Sequence, residues 1–391
     1  MKICGVICEY NPLHNGHAYL LQEARARSGC DAVVCVMSGC FTQRGEAALF
    51  GRYTRARHAI MAGADAVIEL PVLFAPAPAD IFAAGALRLL ASLPDLSALA
   101  FGCERGNADD FFAAARAAQD ENPAFRAALR SGLRSGMSFL KARGEALAHT
   151  SPQAATLLLR SPNNTLGVEY AKALLACGST AALLPVRRRG CGHADTSLGG
   201  RFSSASSIRA AVREGRAADA AESVPPYVSA CFQDAVSPVL YRGAALYALL
   251  QGGPARLREI FDCGEGLENL LLSAARTYPD YERLVAAATS RRYTSSRIRR
   301  ILLASALDIR TPLVRSGLGE PLYIKPLAVK KEAARPLLAA LARSAFPLVA
   351  RRADEQKLCG TAAEVYAKDA RAASLYAVTA GRAEADNLLL I

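Results

Sequence analysis

The sequence predicts an α/β fold in which a parallel sheet, covered on both faces, is followed by a mostly helical C-terminal domain. Short, almost wholly apolar runs alternate with amphipathic stretches through the first half of the chain. This pattern is typical of parallel strands buried between helices. Beyond about residue 215 the strand pattern fades while helical periodicity continues. The chain has 391 residues, a length that favours several domains over one compact core.

Five apolar runs predict the strands of the sheet. They span residues 3–8, 32–37, 66–70, 96–101 and 181–186. The predicted helices between the first four strands span residues 17–28, 52–62 and 81–93, and an Ala- and Arg-rich stretch at about 109–150 predicts a helical insertion. We therefore divide the chain into a sheet domain at 1–214 and a helical domain at 215–391. Ligands of such sheets bind at the carboxyl ends of the strands.

Composition and charge limit the partners and the compartment. The formal net charge is +12, which favours nucleic acid or a phosphorylated substrate. The 11 cysteines include no CxxC pair, so we predict neither a disulfide framework nor a metal site, and we expect a reducing compartment. No apolar run is long enough to cross a membrane, and the first strand is too short for a signal peptide. We therefore expect a cytoplasmic protein.

Two of the chain's five histidines fall in one predicted strand-to-helix turn, His14-Asn15-Gly16-His17. Gly16 lets the backbone approach a ligand closely, and the N-terminus of the following helix favours an anion. His14 and His17 can donate hydrogen bonds to phosphate oxygens, on which negative charge grows during attack at phosphorus. We predict that both are catalytic, although a pair of loop histidines with local hydrogen bonds is the alternative.

A Ser-rich segment at 202–209 is placed to hold phosphate. The hydroxyl groups of Ser206 and Ser207 and the guanidinium of Arg209 can bind a triphosphate or pyrophosphate, the arginine through a charge-assisted fork. The alternative is an ordinary helix cap, since serines start helices well. The two interpretations are compatible.

These motifs resemble known ones. HNGH matches the HxGH motif of nucleotidyltransferases and class I aminoacyl-tRNA synthetases, in which a Ser/Thr-rich loop ending in Ile-Arg is the partner motif. Over nearly its whole length the chain resembles the bacterial tRNA(Met) cytidine acetate ligases. The matching segments are EYNPLHNGH at 9–17, MSGCFTQRGE at 37–46, VIELP at 67–71, FGCE at 101–104, SPNNTLGVEY at 161–170 and RRYTSSRIRR at 291–300. The resemblance implies a Rossmann-like sheet of the HxGH nucleotidyltransferase type.

The resemblance also implies a reaction. Acetate and ATP, the latter with Mg²⁺, would form acetyl-adenylate and pyrophosphate. The acetyl group would then pass to the exocyclic amine of the wobble cytidine of elongator tRNA(Met), forming N4-acetylcytidine. Neither coenzyme A nor a protein partner is expected.

The ATP site that the resemblance implies can be carried over position by position. It comprises Ile7, Cys8, Glu9, Tyr10, Asn11, Pro12, Leu13, His14, Asn15, Gly16, His17, Ala18, Tyr19 and Leu20, with Gly102, Asn163 and Arg188. Arg188 is chosen over Arg187 and Arg189 by its register against residues 190–192. Asn163 can both donate to and accept from an adenine or ribose edge, or cap a helix instead.

Two charged residues follow the second strand. Glu46 can order a magnesium ion that ATP carries, and Arg44 can meet phosphate or tRNA. A surface ion pair between them is the alternative interpretation.

The RNA-binding prediction rests on the helical domain. Residues 291–300 contain five arginines and no acidic residue. We predict that Arg291, Arg292, Tyr293, Arg297 and Arg300 contact tRNA, the arginines at phosphates and the tyrosine by stacking on a base. A solvated charged helix face is the alternative.

Two other functions compete with the ligase. A small-molecule adenylyltransferase would use the same HxGH chemistry but leaves the long basic second domain unexplained. A catalytically silent RNA-binding protein does not explain the intact HNGH turn and Ser-rich loop.

Overall fold

The structure, a computed structural model, describes residues 1–120, 122–137, 139–159, 161–189, 198, 200–384 and 386–391. Its strands are β1 (Ile3–Cys8), β2 (Ala32–Ser38), β3 (Ala66–Leu70), β4 (Leu96–Cys103), β5 (Ala182–Arg187), β6 (Pro326–Val329) and β7 (Leu389–Leu390). They form one sheet in the order β5-β4-β1-β2-β3-β6-β7. The strands from β5 to β3 are parallel, β6 is antiparallel to β3, and β7 is parallel to β6. The predicted α/β fold is confirmed.

Helices connect and cover the strands. In the first half they are α1 (Asn15–Ser28), α2 (Arg52–Met61), α3 (Ala79–Ala91), α4 (Ala108–Gln119), α5 (Pro123–Arg134), α6 (Phe139–Thr150), α7 (Pro152–Leu159), α8 (Pro162–Ala176) and α9 (Ala205–Arg213). In the second half they are α10 (Ala217–Ala220), α11 (Pro226–Ser229), α12 (Val239–Glu259), α13 (Leu267–Thr277), α14 (Tyr281–Ala288), α15 (Ser295–Leu307), α16 (Thr311–Gly319), α17 (Ala334–Ala342), α18 (Arg352–Glu355) and α19 (Gly360–Ala380).

The sheet is buried on both faces, as its apolar strands require. Along β2, Val34 and Val36 belong to one hydrophobic core, whereas Val33 and Cys35 belong to the other. Because side chains alternate between the two faces of a strand, a strand covered on both sides is apolar throughout. The carboxyl ends of the strands are left to the loops, which places the loops where a ligand can bind.

The second half of the chain is mostly helical, but it also extends the sheet. The fading strand pattern beyond residue 215 gave no indication of β6 or β7, and that interpretation is wrong at these two places. Both strands are very short, and β6 begins at Pro326, which cannot donate to a ladder. Their partners are distant in sequence, since Ala66 pairs with Val329. The division of the chain at residue 215 stays a prediction.

In the part of the chain that the structure describes, no helix is long and apolar enough to cross a membrane.

Candidate active site

A cavity of about 710 Å³ opens at the carboxyl end of the sheet, a volume within the usual range of small-molecule sites. Its walls come from the β1–α1 turn, the loop after β2, the start of α8, the end of β5, the start of α9 and one face of α15. Of the predicted nucleotide loop it is lined by Ile7, Cys8, Glu9, Tyr10, Asn11, His14, Gly16, His17, Tyr19 and Leu20. Pro12, Leu13, Asn15 and Ala18 do not line it.

The β1–α1 turn is fixed by hydrogen bonds from its backbone N–H groups to its two histidine side chains. His14 is the N-cap of α1, and its Nδ1 accepts a hydrogen bond from the Gly16 N–H at 3.1 Å. His17 Nδ1 accepts from the His14 N–H at 3.3 Å. The two rings stack with their centroids 3.6 Å apart. The Asn15 side chain points away from the cavity and donates to the carbonyls of Arg201 and Glu222.

These bonds decide which nitrogen of each histidine carries the proton. A neutral imidazole has one donor and one acceptor nitrogen. Because Nδ1 accepts a backbone N–H in both His14 and His17, the proton lies on Nε2 in each ring. Burial, the neighbouring His14 and the charge of Arg188 hold the pKa of His17 well below its ordinary value. His17 is therefore a neutral Nε2–H donor at physiological pH.

Arg55, which the sequence analysis did not single out, holds the ends of β1 and β2 together. Its guanidinium is fully buried and donates to the carbonyls of Glu9 (2.7 Å), Ser38 (2.9 Å), Gly39 and Phe50 (3.0 Å). A buried charge persists only where it is so well hydrogen-bonded. An arginine on the apolar face of the predicted helix at 52–62 was the available signal.

The three predicted ATP contacts outside the β1–α1 turn lie at the β4 and β5 side of the cavity. Gly102, Asn163 and Arg188 all line it. A Cβ at Gly102 would lie 3.4 Å from Cγ of Arg188, an ordinary van der Waals contact, so the Arg188 side chain packs directly against this strand end. Asn163 donates to Glu104 Oε1 at 2.6 Å. Residues 190–192, which set the register for Arg188, lie outside the described residues.

The Ser-rich segment has some residues at the cavity, where phosphate was predicted to bind, and others in the cap of α9. Ser206 and Arg209 line the cavity, whereas Ser207 is buried and does not. Ser207 instead belongs to the cap of α9, in which its N–H donates to Ser204 Oγ at 3.1 Å. Arg209 donates to the Asn11 carbonyl at 2.6 Å, which ties α9 to the nucleotide loop. Burial lowers the Arg209 pKa, so an anion at this place would be stabilising.

The loop after β2 joins the nucleotide loop to the second half of the chain. The Gln43 N–H donates to Glu9 Oε1 at 2.6 Å. Gly45 has φ +73°, and a Cβ there would lie 2.6 Å from the backbone of α15 at Arg299 and Arg300. Glu46 pairs with Arg299 at 3.2 Å and with Arg213 at 3.8 Å. Glu46 is thus engaged by two arginines, neither of which is Arg44.

The residues predicted to contact tRNA differ in how far they are exposed to solvent. Arg291 and Arg292 are exposed, and the guanidinium groups of Arg292 and Arg297 lie 5.5 Å and 5.4 Å from the ring centroid of Tyr293. Arg297 pairs with Asp262 and Glu265. Arg300 lines the cavity together with Ser296. The Arg-rich segment therefore has an outer part and an inner end at the cavity.

The described residues contain no cluster of three or more His, Cys, Asp or Glu side chains that could hold a metal ion. The carboxylates that line the cavity, Glu9 and Glu46, are engaged by a backbone N–H and by arginines. These side chains do not form a ready-made metal site.

Comparison with known proteins covers nearly the whole chain. Residues 1–388 match the family described as HIGH Nucleotidyl Transferase. The chain is 38% identical over 357 residues to a tRNA(Met) cytidine acetate ligase of Caldanaerobacter subterraneus subsp. tengcongensis, covering 89% of this chain and 88% of that protein. It is 38% identical over 362 residues to the protein of that name from Syntrophotalea carbinolica, covering 89% and 84%.

Solved structures agree in fold over the full length. Thermotoga maritima TmcAL bound with alpha-thio ATP superposes with a TM-score of 0.90 at 28% sequence identity, and the match covers 100% of both chains. The apo form of the same protein superposes with a TM-score of 0.91 at 29% identity, again over 100% of both chains.

Proposed function

The chain belongs to the HIGH nucleotidyl transferases and, among them, to the tRNA(Met) cytidine acetate ligases, and from this premise we propose how its cavity carries out the reaction. The enzyme is an ATP-dependent ligase. It first joins acetate to AMP and then passes the acetyl group to the wobble cytidine of elongator tRNA(Met). The observation that carries this proposal is the HNGH turn, which presents two Nε2–H donors beside Arg209 in one cavity.

Nucleotide binding uses the half of the cavity above β5, β4 and β1. Gly102, Asn163 and Arg188 surround the nucleoside, and the β1–α1 turn receives the phosphates. The N-terminus of α1 adds the positive end of its dipole. Ser206 and Arg209 hold the pyrophosphate portion through a hydroxyl and a charge-assisted hydrogen bond. The role of Ser207 is to cap α9 and thereby place these two residues.

In the first step an acetate oxygen forms a bond to the α-phosphorus of ATP. The bond from that phosphorus to the β,γ-pyrophosphate breaks, and pyrophosphate leaves with the electron pair. His14 and His17 donate from Nε2 to the α-phosphate oxygens, on which charge grows in the transition state. Because His17 is neutral, it acts as a hydrogen-bond donor and not as an acid.

In the second step the exocyclic amine of cytidine attacks the carbonyl carbon of acetyl-adenylate. The bond from that carbon to the adenylate oxygen breaks, AMP leaves with the electron pair, and the amine loses one proton to solvent water. The exposed Arg291 and Arg292 supply the outer surface that binds tRNA, mainly through phosphate contacts, while Tyr293 and Arg297 lie beside them at half-buried positions.

We propose that Mg²⁺ enters with ATP. Mg²⁺ commonly keeps several waters and binds substrate phosphates with few protein carboxylates. Glu9 and Glu46 already accept hydrogen bonds from the Gln43 N–H and from Arg299, which agrees with an ion held mainly by phosphate oxygens and water. The ion would spread the negative charge of the triphosphate.

The experiment is ATP–pyrophosphate exchange by the purified chain without tRNA. We expect exchange of labelled pyrophosphate into ATP that requires acetate and Mg²⁺ and is unchanged by coenzyme A. Exchange that ignores acetate but responds to small phosphorylated acceptors would instead identify a small-molecule adenylyltransferase. Tight tRNA binding without any turnover of ATP would identify a silent RNA-binding protein.

A further inference from the structure

We infer that Arg300 and Ser296 form the acetate subsite of the cavity, with Arg300 holding the carboxylate. This inference rests on the adenylation step proposed above and goes beyond it, since it assigns the residues that receive the second substrate of that step. Both side chains come from α15, on the far side of the cavity from the predicted nucleoside contacts.

The strand order separates the two halves of the cavity. The predicted nucleotide contacts lie above β5, β4 and β1, which are consecutive in the sheet. The remaining wall lies above β2 and β3. It consists of the loop that follows β2, three apolar residues near the start of α3, and α15. This half is not occupied by the predicted nucleotide contacts, so we place the second substrate of the adenylation step here.

Arg300 is a cation whose charge is only partly balanced by the protein. Its side chain is 15% exposed, and Asp262, its ion-pair partner at 3.1 Å, also pairs with Arg297 at 3.1 Å. Arg300 Nε is buried and makes no hydrogen bond within the described residues. Burial lowers the Arg300 pKa, while the carboxylates of Asp262 and Asp80 act in the opposite direction. A small anion would complete its charge balance.

The neighbouring wall suits a short acid with one methyl group. Ala77, Ala79 and Phe82 line the cavity near Asp80, whose charge acts on Arg300. Ser296 lies four residues before Arg300, so both point from the same face of α15. The subsite therefore combines a guanidinium fork and a hydroxyl with an apolar floor. A carboxylate bound in this way leaves one oxygen to attack the α-phosphorus, with pyrophosphate as the leaving group.

The alternative occupant is the target cytidine. Its Watson–Crick edge could also accept hydrogen bonds from Arg300. Acetate is favoured because it carries a full negative charge. A buried guanidinium whose charge is only partly balanced binds an anion more strongly than it binds a neutral base.

The test is acetate-dependent ATP–pyrophosphate exchange without tRNA, with separate titrations of acetate and ATP. Arg300→Gln should raise the KM for acetate by about tenfold or more, as expected for loss of a charged hydrogen bond. The KM for ATP should stay within about twofold of the parent value, since the nucleotide contacts are untouched. Arg300→Lys keeps the charge but cannot bind a carboxylate through two N–H groups. Its KM for acetate should therefore lie between those of the parent and of Arg300→Gln.

Arg256→Gln is the matched control. Arg256 is also partly buried, pairs with Asp308 at 3.3 Å and does not line the cavity. It should share any loss of thermal stability but leave the KM for acetate unchanged. If Arg300→Gln fails to fold, Ala79→Val provides a second test of the acetate subsite. By filling the apolar floor, it should raise the KM for acetate without raising that for ATP.

Two results would overturn the inference while leaving the ligase function standing. If Arg300→Gln keeps normal acetate-dependent exchange but loses acetyl transfer to tRNA, Arg300 faces the cytidine. If the KM values for ATP and acetate rise together, Arg300 belongs to the triphosphate site. Absence of acetate-dependent exchange in the parent chain would contradict the proposed function itself.

Discussion

The β1–α1 turn and the wall formed by α15 line the same cavity but are held in place by different forces. The turn is fixed by hydrogen bonds of its own backbone and by the buried Arg55. The α15 wall packs through buried apolar side chains and is also tied to neighbouring loops by ion pairs, such as Arg297 with Asp262 and Arg299 with Glu46. Ion pairs at partly exposed positions weaken with salt, whereas buried hydrogen bonds do not.

This difference indicates a division of labour. In the proposed mechanism the nucleotide half is prearranged, so the donors assigned to the phosphate need no reorganisation during the reaction. The α15 half, which we propose holds the second substrate and adjoins the tRNA surface, contacts that half through the loop at Gly45. Adenylation should therefore tolerate salt, whereas tRNA binding should not.

Loss of the His17 imidazole should give the largest effect. His17→Ala removes one phosphate donor and should reduce acetate-dependent exchange by about 10²–10³-fold, the usual effect of deleting such a donor. Affinity for tRNA, measured by filter binding, should be unchanged. His149→Ala, at an exposed position on α6, is the control and should match the parent. A His17→Ala variant that retains exchange but loses tRNA binding would reverse the assignment.

Gly45→Ala should break the contact between the two regions. The left-handed φ of +73° costs a non-glycine residue about 1–2 kcal/mol, and the Cβ would also strike the α15 backbone. Gly29 provides the matched control because its φ is +59° and a Cβ there meets nothing within 4 Å. Thermal unfolding should show a larger loss for Gly45→Ala than for Gly29→Ala, accompanied by reduced acetyl transfer. Equal losses would mean that the close approach is unimportant.

Neutralising the outer arginines should have a moderate effect confined to tRNA. Arg291→Gln combined with Arg292→Gln should weaken tRNA binding and reduce the salt dependence of binding by about one counterion per arginine. Acetate-dependent exchange should not change. Arg276→Gln, at an exposed position on α13, should alter neither property. An unchanged salt slope in the double variant would remove these residues from the tRNA surface.

The smallest expected effect is that of pH on the HNGH turn. Because the pKa of His17 is held well below its ordinary value, exchange at saturating ATP should be nearly constant from pH 8 to about pH 6. The pH dependence should appear in stability instead. Below about pH 6.5 the unfolded chain binds a proton that folded His17 does not, so His17 makes stability fall as pH falls. A fall in exchange with an apparent pKa near 6.5 would contradict a neutral donor.

Local patterns in the sequence predicted several residues that line the cavity, while their role in binding the nucleotide stays a prediction. The apolar strands and the HNGH turn are short contiguous signals, and the structure places His14, Gly16 and His17 together at the strand end. Arg209 could be assigned because it follows a recognisable Ser-rich loop. In contrast, the inward position of Ser207 was not predictable, since a cap residue and a ligand residue differ only in tertiary packing.

Long-range features were much harder to predict. The four residues of β6 are too few to show a strand pattern. Their strand conformation depends on pairing with β3, which is far away in the chain. Arg300 looked like one member of a basic run, and only the packing of α15 shows that it lines the cavity. Arg55 was missed because an arginine on a helix is ordinarily solvated. The residues that close the site are thus set by the tertiary fold.

In the proposed mechanism one cavity couples ATP, acetate and tRNA without coenzyme A. The most direct measurement is mass spectrometry of tRNA nucleosides after the purified chain is incubated with ATP, Mg²⁺, isotopically labelled acetate and unmodified elongator tRNA(Met). We predict labelled N4-acetylcytidine, formed without coenzyme A and abolished in His17→Ala. Unlabelled tRNA from the parent chain, with ATP consumed regardless of acetate, would contradict it.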